Sequence, residues 1–305
     1  MPKRIGFALL THDQTAQAVR LVNTLNRMFD HPPIGWHHDF YQSDLPSDFV
    51  LTENISLVSP HVKTKWGTCS LVEATIRALA TLRRAKESPD WFIVLSGSDY
   101  PLKPAEAIQR DFGASEYDAH ITHQKISYKP YDNEWHALCY ESRYCIKKFG
   151  FPKLEARIGI SLPVLKLTSP VLTYPFIPFR KDFHCFAGAQ WFCVNQKAVD
   201  YLIHYYQTKP ALLAHFKDLE RFGVVIPDES YFQSVLCNAP NLKCSNDNWR
   251  YVEWPAHSAH PVTLTTSDLP KMALTRAHFA RKFDMTIDSG VLDELDKVLL
   301  KQVQH

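Results

Sequence analysis

Four short apolar runs constrain this chain more than any other feature. They lie at residues 4–11, 34–41, 55–59 and 91–96, with amphipathic stretches at 15–27 and 70–85 between them. A short apolar run bounded by polar residues reads as a strand buried on both faces. Apolar positions three and four apart read as a helix lying on a sheet, and Ala18, Leu21, Val22 and Leu25 share one face in this way. Asp13 or Thr15 stands where a cap for that helix belongs. Ser70, with Glu73 three places on, makes a capping box for the next one. Strands alternating with helices give a mainly parallel α/β sheet. Ligands of such sheets sit beyond the carboxyl ends of the strands. Thr11-His12-Asp13 and Gly97-Ser98-Asp99 fall at two such ends.

From 124 to 182 the periodicity fades, and aromatics such as Tyr128, Tyr131, Trp135, Tyr140 and Tyr144 take its place. So long an irregular segment in a compact chain is functional or disordered, and the aromatic content favours order. Its most apolar part, 158–179, nearly has the length to span a bilayer. Pro163, Pro170, Pro175 and Pro178 would break a helix there, and Lys166 sits mid-segment. A covering loop is expected, with contact to a membrane surface as the alternative. A strand at 189–195 and a helix at 196–207 restore order. A helix over 228–238 is headed by Pro227-Asp228-Glu229, with acidic residues at its positive end. Residues 250–254 read as a last sheet strand, and 291–303 as a closing helix.

Composition narrows the function. The 34 basic and 32 acidic residues leave a net charge of +2, without the basic excess of a nucleic-acid binder. The 305 residues suggest one large domain or two small ones. At 45 % hydrophobic and 12 % aromatic, the chain has ample material for a core and little tendency to disorder. Seven cysteines, an odd number without CxxC spacing, lean towards reduced thiols, with one or two bridges as the alternative, and argue against a zinc site. The apolar run at 5–10 is too short for a signal segment.

Certain longer stretches are more specific. They are THDQTAQAVRLVNTL at 11–25, WGTCSLVEATIRAL at 66–79, WFIVLSGSDYPLK at 91–103, GAQWF at 188–192, PDESYFQSVLCNAP at 227–240, RYVEW at 250–254, SDLP at 267–270 and FARKFD at 279–284. In this order and spacing the chain resembles the core-2/I-branching enzymes, glycosyltransferase family 14, which holds β-1,6-N-acetylglucosaminyltransferases and peptide O-xylosyltransferases. The resemblance implies a GT-A-like nucleotide-sugar-binding fold, a mainly parallel sheet flanked by helices with a long loop insertion and a C-terminal extension. The catalytic domain would cover 1–255: a nucleotide-binding half (1–123), a loop-rich acceptor region (124–182) and an acceptor and catalytic half (183–255). The extension, 256–305, would contribute diphosphate contacts. The implied chemistry is inverting sugar transfer from a UDP-sugar to a glycan hydroxyl, without a divalent metal or other cofactor.

The residues bear on that chemistry independently. No Asp-x-Asp motif, the usual metal holder of such folds, occurs anywhere in the chain. Without a cation, the charge developing on a UDP leaving group must meet fixed basic groups. Arg281 and Lys282 are the candidates, a bidentate guanidinium and a compact ammonium. At ~4 Å and an effective dielectric of ~20, one such pair is worth ~4 kcal/mol before desolvation. On sequence alone, a solvated basic pair is the plainer reading.

Glu229 matches the family's catalytic glutamate, which takes the acceptor proton. A helix N-terminus would lower its pKa, so a useful base needs apolar surface beside it. Trp254 and Trp191 are candidates for that surface and for the acceptor sugar, with a core role as the alternative. Thr11, His12, Asp39, Trp66, Ser98 and Asp99 are the expected nucleotide contacts, although Asp99 is equally placed to cap the turn after it. His37-His38-Asp39 is not a metal cluster, because neighbours in a strand point to opposite faces.

The chain also departs from the family. Ala259-His260-Pro261 stands where the glucosaminyl branch has an arginine, and Gln190 where the xylosyl branch has an acid. The donor is therefore left between UDP-GlcNAc and UDP-xylose. The animal enzymes begin with a cytoplasmic tail and membrane anchor that this chain lacks, so a soluble, bacterial, cytoplasmic form is the expectation. A nucleotide-sugar- or glycan-binding module without catalysis is the rival reading.

Overall fold

The computed structural model describes residues 2–160, 162–255 and 260–300. Seven strands form the central sheet: β1 (Ile5–Thr11), β2 (Ile34–His38), β3 (Ile55–Leu57), β4 (Trp91–Ser96), β6 (Ala119–His120), β11 (Cys193–Asn195) and β12 (Cys244–Ser245). Their order is β12-β6-β11-β4-β1-β2-β3. Only β11 runs against its neighbours; every other pairing in this sheet is parallel. Three short strands, β5 (Tyr100–Pro101), β13 (Arg250–Tyr251) and β14 (Phe279–Ala280), form a second sheet. Two more pairs join β7 (Gln124–Ile126) to β10 (Cys185–Ala187), and β8 (Lys147–Phe149) to β9 (Leu165–Leu167).

Helices cover both faces of the central sheet. Side chains alternate along a strand, so Phe7 and Leu9 of β1 enter one core while Ala8 and Leu10 enter the other. In β4, Ile93 and Leu95 go one way and Phe92 and Val94 the other. One face carries α1 (Thr15–Phe29), α3 (Ala105–Gly113) and α11 (Gly290–Leu299). The other carries α2 (Cys69–Arg83), α7 (Gln196–Thr208), α8 (Ala211–Glu220) and α9 (Tyr231–Cys237). Shorter helices α4 (Glu134–Leu138), α5 (Pro152–Ile158) and α6 (Pro170–Thr173) lie in the 124–182 region, and α10 (Leu269–Leu274) in the C-terminal part. The expected α/β fold with a mainly parallel sheet is therefore present, and the loop-rich region is ordered into short elements.

Several local expectations are corrected. The first helix is capped by Gln14 in a left-handed conformation, without a side-chain bond. Asp13 instead lies 3.6 Å from His12. The capping box at Ser70 does not form, because the cap is Thr68 and Ser70 lies inside the helix, binding the Lys65 amide at 2.9 Å. Glu73 pairs with Arg77 at 2.7 Å, and the unpaired Cys69 amide is taken by the Glu220 carboxylate from α8. The strand expected at 189–195 shrinks to β11, and 250–254 joins the second sheet instead of the central one. The helix expected over 228–238 is broken: Pro227–Glu229 is a 3-10 turn, and α9 begins only after Ser230. The Ser230 hydroxyl donates to the Phe186 carbonyl at 2.8 Å and holds the chain at that break. The closing helix ends at Leu299, and residues 301–303 of its expected span lie outside the described residues.

Candidate functional site

The parallel strands end on one edge of the sheet, and β11, being reversed, begins there. Cys193 pairs with Ile93, so the residues just before β11 stand beside the end of β4. The second sheet reaches the same edge, since Ala280 pairs with Tyr100 and the Phe283 amide donates to the Ser98 carbonyl at 2.9 Å. Arg281 and Lys282 are thereby laid against Gly97-Ser98-Asp99, both half-buried.

The Arg281 guanidinium lies 4.4 Å from the centre of the Trp191 ring. Such a contact stabilises a desolvated cation. Burial lowers the Arg281 pKa, the Asp99 carboxylate raises it and the Arg250 guanidinium lowers it again. The Arg281 Nε is buried without a hydrogen-bond partner. Asp99 is fully buried, and its Oδ2 accepts from the Ser96 amide at 2.7 Å and from the Ser96 hydroxyl. Its Oδ1 lies 3.8 Å from Nε of Arg250, and both side chains are fully buried. Arg250 donates to the Val94 carbonyl at 3.0 Å and stacks over Phe279 at 4.8 Å. Asp99 thus serves as the counter-charge beneath two guanidiniums. Trp191 supports Arg281 and packs in the core, the alternative role expected for it.

Glu229 sits on the neighbouring loop. Its carbonyl accepts from the Gly188 amide at 2.8 Å, which ties its turn to the segment leading into β11. Only glycine fits at 188, because a Cβ would meet the Thr122 carbonyl at 1.9 Å. The turn is strained at Ile226, whose φ of 59° is unusual for a β-branched residue. Three bonds hold it: the Ile226 amide to the Gly67 carbonyl at 3.1 Å, and the Tyr144 hydroxyl and the Glu229 amide to the Ile226 carbonyl at 3.0 and 3.2 Å. Gly67 itself has φ +74°, and a Cβ there would meet Val224 at 2.7 Å.

The Glu229 side chain is 29 % exposed and lies 3.5 Å from Arg143. Burial raises its pKa and Arg143 opposes the rise. The helix N-terminus expected to depress it is absent, because the turn is not part of α9. The π-helical turn Cys139–Tyr144 supplies groups beside Glu229, since Arg143 lies 3.5 Å from it and Cys139 and Tyr144 both feel its charge. Asp228 is buried beside it with Oδ1 unpartnered, and burial and the Glu229 charge push its pKa up to about 7.

In the nucleotide half the side chains are largely engaged by the protein. The Thr11 hydroxyl accepts from Trp36 Nε1 at 2.8 Å and bonds His38 Nδ1 at 2.8 Å. His38 Nε2 bonds the Ser43 carbonyl at 2.8 Å, so this nitrogen carries the proton and Nδ1 accepts from Thr11. His37 Nε2 accepts from the Val62 amide at 2.9 Å. Asp39 is fully buried. Burial would raise its pKa, but bonds from Thr64, Gln42 and Tyr41 hold it at about 2. His12 is exposed, with its carbonyl bound by Ser43 at 2.7 Å. Trp66 is 58 % exposed on the turn that Gly67 fastens to 225–226. Trp254, 60 % exposed, follows the second sheet beyond β13. Ala259 lies outside the described residues.

Arg143, Tyr144 and Arg250 escaped the reading of the sequence. Arg143 and Tyr144 sit in a segment without periodicity, and Arg250 was visible as part of a strand and of the RYVEW stretch but not as a buried charge. The charge of a fully buried arginine has no signature in a single sequence. Among the described residues, no group of three or more His, Cys, Asp or Glu side chains could hold a metal ion.

The sequence profile of the core-2/I-branching enzyme family matches residues 34–277. Beta-glucuronosyltransferase GlcAT14A of Arabidopsis thaliana is 28 % identical over 239 residues, 76 % of this chain and 48 % of its own length. GlcAT14C of the same plant is 29 % identical over 243 residues, 76 % of this chain and 55 % of its own. Xylosyltransferase 1 of Rattus norvegicus is 22 % identical over 333 residues, 98 % of this chain and 36 % of its own. The chain spans about half the length of the plant relatives and about a third of the animal one.

Proposed function

Because the chain belongs to the core-2/I-branching enzyme family, we propose that it is an inverting glycosyltransferase that moves a sugar from a UDP-sugar donor to a hydroxyl of a glycan acceptor. The observation that carries this reading is the placement of Arg281, a guanidinium packed on Trp191 at the strand-end edge that also holds the Glu229 turn. In this reading the Glu229 carboxylate takes the proton of the acceptor hydroxyl as its oxygen attacks C1 of the donor sugar. The bond from C1 to the phosphate oxygen breaks on the opposite face, and UDP leaves. Arg281 and Lys282 meet the charge that builds on the diphosphate. Arg281 is held on Trp191 before the reaction, so its reorganisation adds little to the barrier.

The donor class rests on relatives named glucuronosyl- and xylosyltransferases. UDP-glucuronic acid therefore joins UDP-xylose and UDP-GlcNAc as a candidate. Glu229→Gln tests the base. Turnover should fall by about 10²-fold or more, with UDP still bound. Unchanged turnover removes Glu229 from the mechanism, and UDP binding without turnover in the wild type, across all three donors, leaves a binding module.

A further inference from the structure

The excursion between β7 and β10 presents a surface that the site does not use. Phe151, Ile160, Leu165, Val171, Leu172 and Phe176 are 50 to 82 % exposed on it. The Phe149 ring meets Phe176 edge-on at 5.3 Å, which sets β8 against the stretch after α6. Apolar surface of this extent marks an interaction site.

Its surroundings are basic. Residues 147–182 hold seven basic side chains and two acidic ones, Glu155 and Asp182, a net of +5 in a chain whose whole net is +2. Glu155 is engaged by the Leu162 amide, and Lys147 is paired with Asp218 at 2.7 Å, so the free basic groups lie among the remaining six. Lys148 stands directly opposite Lys166 across the β8–β9 ladder. Like charges so placed destabilise a sheet, and burial and Lys166 both lower the Lys148 pKa. Among the described residues neither lysine is paired with a carboxylate. The pair lies on the side of that ribbon opposite Phe149 and Leu165, where the exposed Lys166 is open to an anionic partner outside the fold.

We propose that the exposed part of the excursion, which carries α5, β9 and α6, docks on an anionic phospholipid surface. The apolar side chains enter the headgroup boundary and the basic ones meet headgroup phosphates, the composition of an interfacial anchor. The excursion leaves from Cys139–Tyr144, which brings Arg143 to Glu229, so docking sets the acceptor side of the site at the bilayer.

Co-sedimentation with vesicles tests this. The wild type should bind phosphatidylcholine vesicles containing phosphatidylglycerol, bind pure phosphatidylcholine at least tenfold more weakly, and release from the former as salt rises. Val171→Asp with Leu172→Asp should abolish binding, with UDP affinity unchanged. Lys166→Glu gives Lys148 a cross-strand partner, so the melting temperature should hold or rise while vesicle affinity falls about tenfold or more. The proposal is overturned if the wild type ignores anionic vesicles, or if these substitutions leave vesicle binding intact. It is also overturned if the patch is covered by a second copy, seen as a concentration-dependent dimer that Val171→Asp dissociates. UDP binding is the separate readout of the transferase reading, which can fail without this one.

Discussion

At the scale of single residues, the site is governed by charges held out of water. Glu229 and Asp228 are adjacent carboxyls with raised pKa values, and Arg143 reaches only the first of them within ion-pair distance. A base must be ionised to act, so a raised pKa moves the acidic limb of kcat/KM to higher pH. Arg143→Met removes the cation that opposes the rise, and that limb should move higher still, by half a unit or more in a pH–rate profile. An unmoved limb would detach Arg143 from the base.

Asp228 carries the sign the other way into stability. Its folded pKa lies above its unfolded one, so its favourable contribution is complete below about pH 4 and is lost as pH rises to about 7. Asp228→Asn should therefore melt higher than the wild type at pH 8, with a gain of at most roughly 4 kcal/mol. The gain should shrink to nothing by pH 4. A difference that does not depend on pH would contradict the burial of an ionisable carboxyl there.

At the scale of elements, legibility follows burial. Strands β1 and β4 match their apolar runs because both of their faces are covered, and α2 and α7 match their amphipathic patterns. What a single sequence does not carry is direction and interruption. The reversal of β11 is decided by which neighbours it meets. The break at Ser230 arises because its hydroxyl is claimed by Phe186, 44 residues away in the chain. The same holds for the strained Ile226, whose carbonyl is held from the π-helical turn by Tyr144. Glu229, Arg281, Lys282 and Arg250 all lie in the family-like stretches, but the buried charge role of Arg250 beside Asp99 was not legible there, and Arg143 lies in none of them. Asp99 was half-legible, its turn visible and its counter-charge role hidden. Tyr144→Phe deletes the buried bond to Ile226 and should cost about 1–2 kcal/mol in thermal unfolding. It should lower kcat more than the affinity for UDP, because it loosens the turn of the proposed base and not the proposed diphosphate contacts. An equal loss in both would place Tyr144 in the scaffold alone.

At the scale of the whole molecule, the account rests on the C-terminal part returning across the sheet. Strand β14 lies between β13 and β5 and delivers Arg281 and Lys282 to the end of β4, opposite the loop that holds Glu229. In this account they replace the metal that an Asp-x-Asp motif would recruit. The most direct test is calorimetric titration of UDP in excess EDTA, for the wild type, Glu229→Gln and Arg281→Met. The account predicts tight binding to the first two and a loss of about 10- to 100-fold for the third, the range of a charge-assisted contact. UDP binding that requires manganese, or that survives Arg281→Met undiminished, would contradict it.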